Sequence, residues 1–156
     1  LPADFRWHFY LNDFLAEGLR EHGMLGLVWC LSQLQWTARE SFFFAPPLGL
    51  YRAIPQDRRA PPNKEVDICC ALDGRFVIGA VKESAREIND ALGDDLVQLA
   101  ADVRADKVVI ACMDQGAART VERQVARIAP RLAEIGCSVE GMVPNGMFGA
   151  GTHHLP

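Results

Sequence analysis

Asp67 and Lys82 are the residues around which chemistry can be built. Asp67 sits early in an apolar stretch, Val66–Leu72, and Lys82 closes a second one, Arg75–Lys82. Between them stands Asp73-Gly74, a dipeptide that tolerates the positive φ of a two-residue hairpin turn. A hairpin brings an acid early on its first strand beside a lysine late on its second. A carboxylate and an ammonium meeting at one strand end can hold a divalent metal and a polarised water. Glu65 lies two residues before Asp67, so on one continuous strand it leaves the same face and extends the acidic site. Ala80 and Lys82 share a face by the same alternation.

These residues need a scaffold, and the chain in order supplies one. Phe5–His22 reads as a helix, with Leu11, Phe14, Leu15, Gly18 and Leu19 at helical spacing and Gly23 as its stop. Leu27, Leu31 and Leu34 predict a second helix from Met24 to Arg39, with Trp29 and Trp36 packed around it. Ser41–Ala45 reads as a strand, Pro46-Pro47 interrupts it, and Leu48–Ala53 resumes as extended chain. Ile54–Lys64 reads as a loop, because its prolines and charges bar a regular ladder. After the hairpin comes a helix, Ala85–Arg104, burying Ile88, Leu92, Leu96, Leu99 and Val103. Asp106–Met113 is β-branched and apolar without alternation, the pattern of a strand covered on both faces. A helix over Ala117–Ile135 turns Val121, Val125, Ile128, Leu132 and Ile135 inward, and Pro130 predicts a kink or a break in it. Gly136 ends that helix and Cys137–Val143 makes the last strand. Pro144–Pro156 is rich in Gly and reads as an irregular tail, with His153-His154 as exposed tail residues. This order implies an α/β fold, a central mixed sheet flanked by helices. It reads as a single domain over residues 1–156, divided into N-terminal helices (1–40), core sheet and helices (41–143) and tail (144–156).

Asp67, followed on the next strand by Ile78-Gly79-Ala80-Val81-Lys82, resembles the signature of the PD-(D/E)xK nuclease superfamily. In that signature an Asp on one strand precedes a Glu/Asp-x-Lys triplet on the next, often as Ile-Gly-Glu-x-Lys. The resemblance covers the hairpin closely and the order of elements around it more loosely. It implies a restriction-endonuclease-like core and an endonuclease that hydrolyses phosphodiester bonds of DNA, or of RNA, with Mg2+ or Mn2+ as cofactor. By resemblance Asp67 ligates the metal and the Val81 carbonyl adds a backbone ligand. Lys82 orients or deprotonates the attacking water and offsets developing negative charge. Position 80 is the family's catalytic and metal-ligating acid, and Ala80 has no ligand atom there. Some members also place a Gln on the helix after the hairpin, here Gln98, which by itself also reads as a solvated or capping residue. Others carry an acid on the helix before the sheet, here Asp13 or Glu17. Three origins account for Ala80: an engineered Glu→Ala exchange that stops catalysis and keeps the fold, a natural loss, or a migrated acid, with Glu83 and Glu87 nearest. The intact pattern of residues 78–82 favours the first, a catalytically dead variant of a Mg-dependent deoxyribonuclease. The alternative is a non-catalytic α/β module that binds nucleic acid or protein, with Asp67 and Lys82 as an ordinary cross-strand pair.

A formal net charge of −4 argues against a free-standing, non-specific nucleic-acid binder. Phosphate contacts then fall to a local basic groove or to a neighbouring domain. Arg58, Arg59 and Lys64, just upstream of Asp67, read either as cations of a solvated loop or as a phosphate-gripping loop at the rim of a cleft. The five cysteines include no CxxC pair, and adjacent Cys69 and Cys70 point to opposite faces of a strand. Reduced thiols without zinc, in an intracellular, cytoplasmic protein, fit that spacing. No apolar run approaches the length of a membrane span, so no membrane partner is expected. Leu1-Pro2 lacks an initiator Met, so the chain reads as excised from a longer protein or trimmed, which leaves room for an additional domain or a homo-oligomer.

Overall fold

A computed structural model describes residues 24–51, 62–144 and the backbone of 146–150. The elements are α1 (Met24–Thr37), β1 (Phe42–Ala45), β2 (Leu48–Leu50), β3 (Lys64–Val66), β4 (Ile68–Leu72), β5 (Arg75–Lys82), α2 (Asp90–Val103), β6 (Lys107–Cys112), α3 (Ala118–Glu134), β7 (Ser138–Val143) and β8 (Gly146–Ala150). Six strands form one mixed sheet in the order β1-β4-β5-β6-β7-β8, and β2 and β3 form a separate antiparallel pair. The β5–β6 and β6–β7 pairings are parallel; the other pairings in the sheet are antiparallel. The fold is therefore α/β with a mixed sheet. Among the described residues no helix is long and apolar enough to cross a membrane.

Helices cover both faces of the sheet, and strand alternation divides the core accordingly. On one face Cys30, Leu31 and Leu34 of α1 meet Ile68, Cys70, Val77, Val109, Ala111 and Met142. On the other, Leu96 and Leu99 of α2 and Val121, Val125, Ile128 and Leu132 of α3 meet Ile78, Ala80, Val108, Ile110 and Val139. Double coverage explains why Val108–Cys112 is apolar at every position and buried throughout. α2 and α3 cross closely at Gly93, where a Cβ would come within 2.1 Å of Gln124 Nε2. Buried Gln124 donates instead to the Asn89 carbonyl at the start of α2. The turn between β4 and β5 is the expected one: Asp73 has φ 49° and Gly74 φ 75°.

Several sequence expectations are corrected. The expected strand Val66–Leu72 is broken at Asp67, because β3 pairs with β2 whereas β4 lies between β1 and β5. Lys64 belongs to β3 and not to the preceding loop. The helix expected from Ala85 starts at Asp90. Ser84 and Glu87 close a capping box on a short 3₁₀ turn, and Asn89 caps α2 by accepting from the Leu92 N–H. α3 runs through Pro130. That proline is exposed near the helix end, while buried Ile128 and Leu132 on either side hold the helix to the sheet. Trp36 is 85% exposed and does not pack around α1. Part of the expected tail, Gly146–Ala150, is β8, which pairs antiparallel with β7. The expected helix Phe5–His22, most of the 54–64 loop and His153-His154 lie outside the described residues.

Candidate functional site

The break at Asp67 builds the site. Main-chain pairing of β4 with β5 ends at Ile68↔Gly79. Extending that register by one residue sets Asp67 opposite Ala80. Beyond the last rung the Asp67 side chain takes over: Oδ2 accepts from the Val81 N–H at 2.8 Å. The same oxygen lies 3.5 Å from Lys82 Nζ, with both side chains 28% exposed. By strand alternation Ala80 and Lys82 leave β5 on the α2–α3 face. The Lys82 carbonyl accepts from the Met113 N–H at 2.9 Å, which ties the end of β5 to the chain leaving β6. Asp67 and Lys82 thus meet at the carboxyl ends of the parallel strands, where open α/β sheets bind their ligands.

Ala80 is 6% exposed and packs in the apolar cluster that holds Ile78, Ile110 and Val66. It offers a methyl group opposite the Asp67 carboxylate. Magnesium takes oxygen ligands, usually one or two carboxylates completed by water and substrate. Here one carboxylate is present, and one of its oxygens already serves an amide and an ammonium. Among the described residues no group of three or more His, Cys, Asp or Glu is gathered to hold a metal. Among the described residues Asp67 brings one partly engaged carboxylate to this edge, and a glutamate at position 80 would set a second beside it.

The remaining sequence candidates are dispersed. Glu65 is exposed on β3, across the strand break, so the alternation that would align it with Asp67 does not operate. Lys64 is ion-paired to Asp95 at 3.1 Å and donates to the Asp95 carbonyl, so it fastens β3 to α2. Gln98 is exposed on α2. Glu83 is exposed, and the Glu87 carboxylate accepts from the Ser84 N–H in the capping box. Arg58, Arg59, Asp13 and Glu17 lie outside the described residues.

Sequence reasoning missed two features of this edge. The Val81 amide is one: it donates to Asp67, and the register arithmetic that sets residue 67 opposite 80 was the available signal. Asp114 is the second. Burial pushes the Cys112 thiol up; a hydrogen bond from the Asp114 main chain opposes this, and the nearby Asp114 and Glu87 charges add to it. The Asp114 carboxylate itself caps the following turn by accepting from the Gly116 N–H at 2.8 Å. All five cysteines are free. Burial raises the Cys30 thiol to about 12 and those of Cys70 and Cys137 to about 11, which makes them packing groups and not nucleophiles. A cavity of about 520 Å3 lies elsewhere, between Leu50 and Lys64 on one side and Leu99 and Val103 on the other. No family model, curated protein or solved structure matches this chain.

Proposed function

We propose that this chain is a restriction-endonuclease-like domain of the PD-(D/E)xK kind, built to act on DNA phosphodiester bonds and held inactive by Ala80. One observation carries the reading: Asp67, the Val81 main chain and Lys82 converge at the carboxyl edge of β5, with Ala80 set opposite Asp67. The order of α1, the β4–β5 hairpin, α2, β6, α3 and β7 supports it, as does the Ile-Gly-x-x-Lys pattern on β5. In this reading Lys82 stands ready to orient a water or offset charge on a phosphoryl oxygen. The missing part is the second carboxylate.

The experiment is to assay the Ala80→Glu protein on single-stranded, double-stranded and branched DNA and on RNA, with magnesium or manganese. It should cut at least one of these, and adding Lys82→Ala should abolish the cut. If Ala80→Glu binds metal yet cuts nothing, the domain is a binding module or one whose catalysis needs a partner domain. If the chain with Ala80 already cuts, and Asp67→Ala leaves that activity intact, the site is elsewhere.

A further inference from the structure

Gly26 is buried on α1, where the helix meets the sheet. A Cβ at this position would lie 2.8 Å from Val81 Cγ1 and 2.9 Å from Met113 Cγ. Non-bonded carbons settle at about 3.5–4.0 Å, so a side chain at 26 forces something to move. The two residues that a Cβ at 26 would meet are the two whose amides fasten the candidate site. The Val81 N–H donates to the Asp67 carboxylate, and the Met113 N–H donates to the Lys82 carbonyl. Met113 is unbranched and can swing its side chain away. Val81 is β-branched and stiff at χ1, so it yields by moving its backbone.

We infer that Gly26 is a positioning residue: by lacking a side chain it lets α1 seat on Val81 and Met113 and so fixes the amides that hold Asp67 and Lys82. The inference rests on the reading of Asp67 and Lys82 as the working pair. Control comes from the opposite face of the sheet, because α1 packs on Val109, Ala111 and Met142 while Lys82 projects toward the α2–α3 side. Helix propensity alone favours Ala at position 26, so any loosening caused by Ala there is steric.

The test is amide hydrogen exchange by NMR on Gly26→Ala, without metal or nucleic acid. Exchange at Val81 and Met113 should speed by about tenfold relative to Val108 and Ile110 in the sheet centre. Gly93→Ala is the control for general loosening. Its Cβ meets Gln124 and Arg127 on α3, so exchange at Val81 and Met113 should stay in step with the other strands. Adding Val81→Ala and Met113→Ala to Gly26→Ala removes both opposed atoms. Protection of the position-81 amide should then return to its level in the Val81→Ala/Met113→Ala protein. If Gly26→Ala does not fold, this relief variant carries the test: folding with a protected position-81 amide supports the inference, and failure to recover overturns it. Unchanged relative exchange at Val81 and Met113 in a folded Gly26→Ala protein also overturns it. Because no metal or substrate enters the measurement, a failure of Ala80→Glu to cut bears on the proposed activity and not on Gly26.

Discussion

At the scale of single residues, Asp67 does two jobs with one oxygen, and the jobs differ in worth. The Val81 N–H is half-shielded at the end of a ladder, and removing its acceptor leaves a polar group unpaired. The ion pair to Lys82 is more than a quarter exposed and longer than a tight bridge. Asp67→Ala should therefore cost about 1–3 kcal/mol in urea unfolding, and Lys82→Met no more than about 1 kcal/mol. Equal costs would show that the ion pair, and not the amide bond, anchors Asp67. Position 80 gives the sharper case. A glutamate there would be buried in an apolar cluster and face a like charge at Asp67, and both effects destabilise the ionised form. The Tm of Ala80→Glu in chelator should fall below that of the parent. Magnesium or manganese should raise it again, because a ligand that binds only the folded state stabilises that state. The parent Tm should not respond to metal. A variant whose Tm ignores both metals has not gained the second carboxylate as a ligand.

At the scale of elements, Asp73 shows how one side chain joins distant segments. The sequence identifies it as a turn former, and its positive φ agrees. Its carboxylate also accepts from the main-chain N–H groups of Arg39, Glu40 and Ser41, which binds the turn to the α1–β1 connection. Those amides, Ser41 first, hold the Asp73 carboxyl below the usual carboxylate range. A lowered folded-state pKa means that its contribution is complete above the unfolded value. The contribution is lost as pH falls through the folded one. The parent should therefore lose stability below about pH 4, and Asp73→Asn, which keeps the shape without the charge, should show a shallower acid-side decline in denaturant titrations. An identical decline would assign the acid sensitivity to other carboxylates. Gly79 was legible only as part of a motif. In the fold, a Cβ there would stand 2.3 Å from the Val109 carbonyl oxygen, so Gly79 sets the spacing of β5 and β6. Backbone cannot step aside as a side chain can, so Gly79→Ala should shift unfolding by about 3 kcal/mol or more, beyond ordinary overpacking.

For the whole molecule, what periodicity could report was legible: α1, the β4–β5 hairpin, buried β6, α3 and the alternation that places Ala80 with Lys82. What depended on partners remote in sequence was not. The break at Asp67 exists because β3 finds β2, and Pro130 is tolerated because α3 is held by packing on either side of it. The proposed basic loop shows the same dependence on remote partners. Arg58, Arg59 and Lys64 are equivalent cations in the sequence, but Lys64 is engaged with Asp95 on α2. On a chain of net charge −4, each cation that meets a phosphate should count individually in the salt dependence of binding. Each released counterion contributes a slope of about −0.9 in log K against log salt for duplex DNA. Neutralising Arg58 and Arg59 together should weaken DNA binding and flatten the slope by up to about two units. Lys64→Ala should leave the slope unchanged and act on stability, because it loses a tether between β3 and α2. The measurement is fluorescence anisotropy of labelled duplex across a salt series, with urea unfolding of each variant alongside. A slope that flattens with Lys64→Ala would mean that Lys64 leaves Asp95 to reach phosphate. A slope untouched by Arg58 and Arg59 would remove the loop from the nucleic-acid interface and leave affinity to the edge around Lys82.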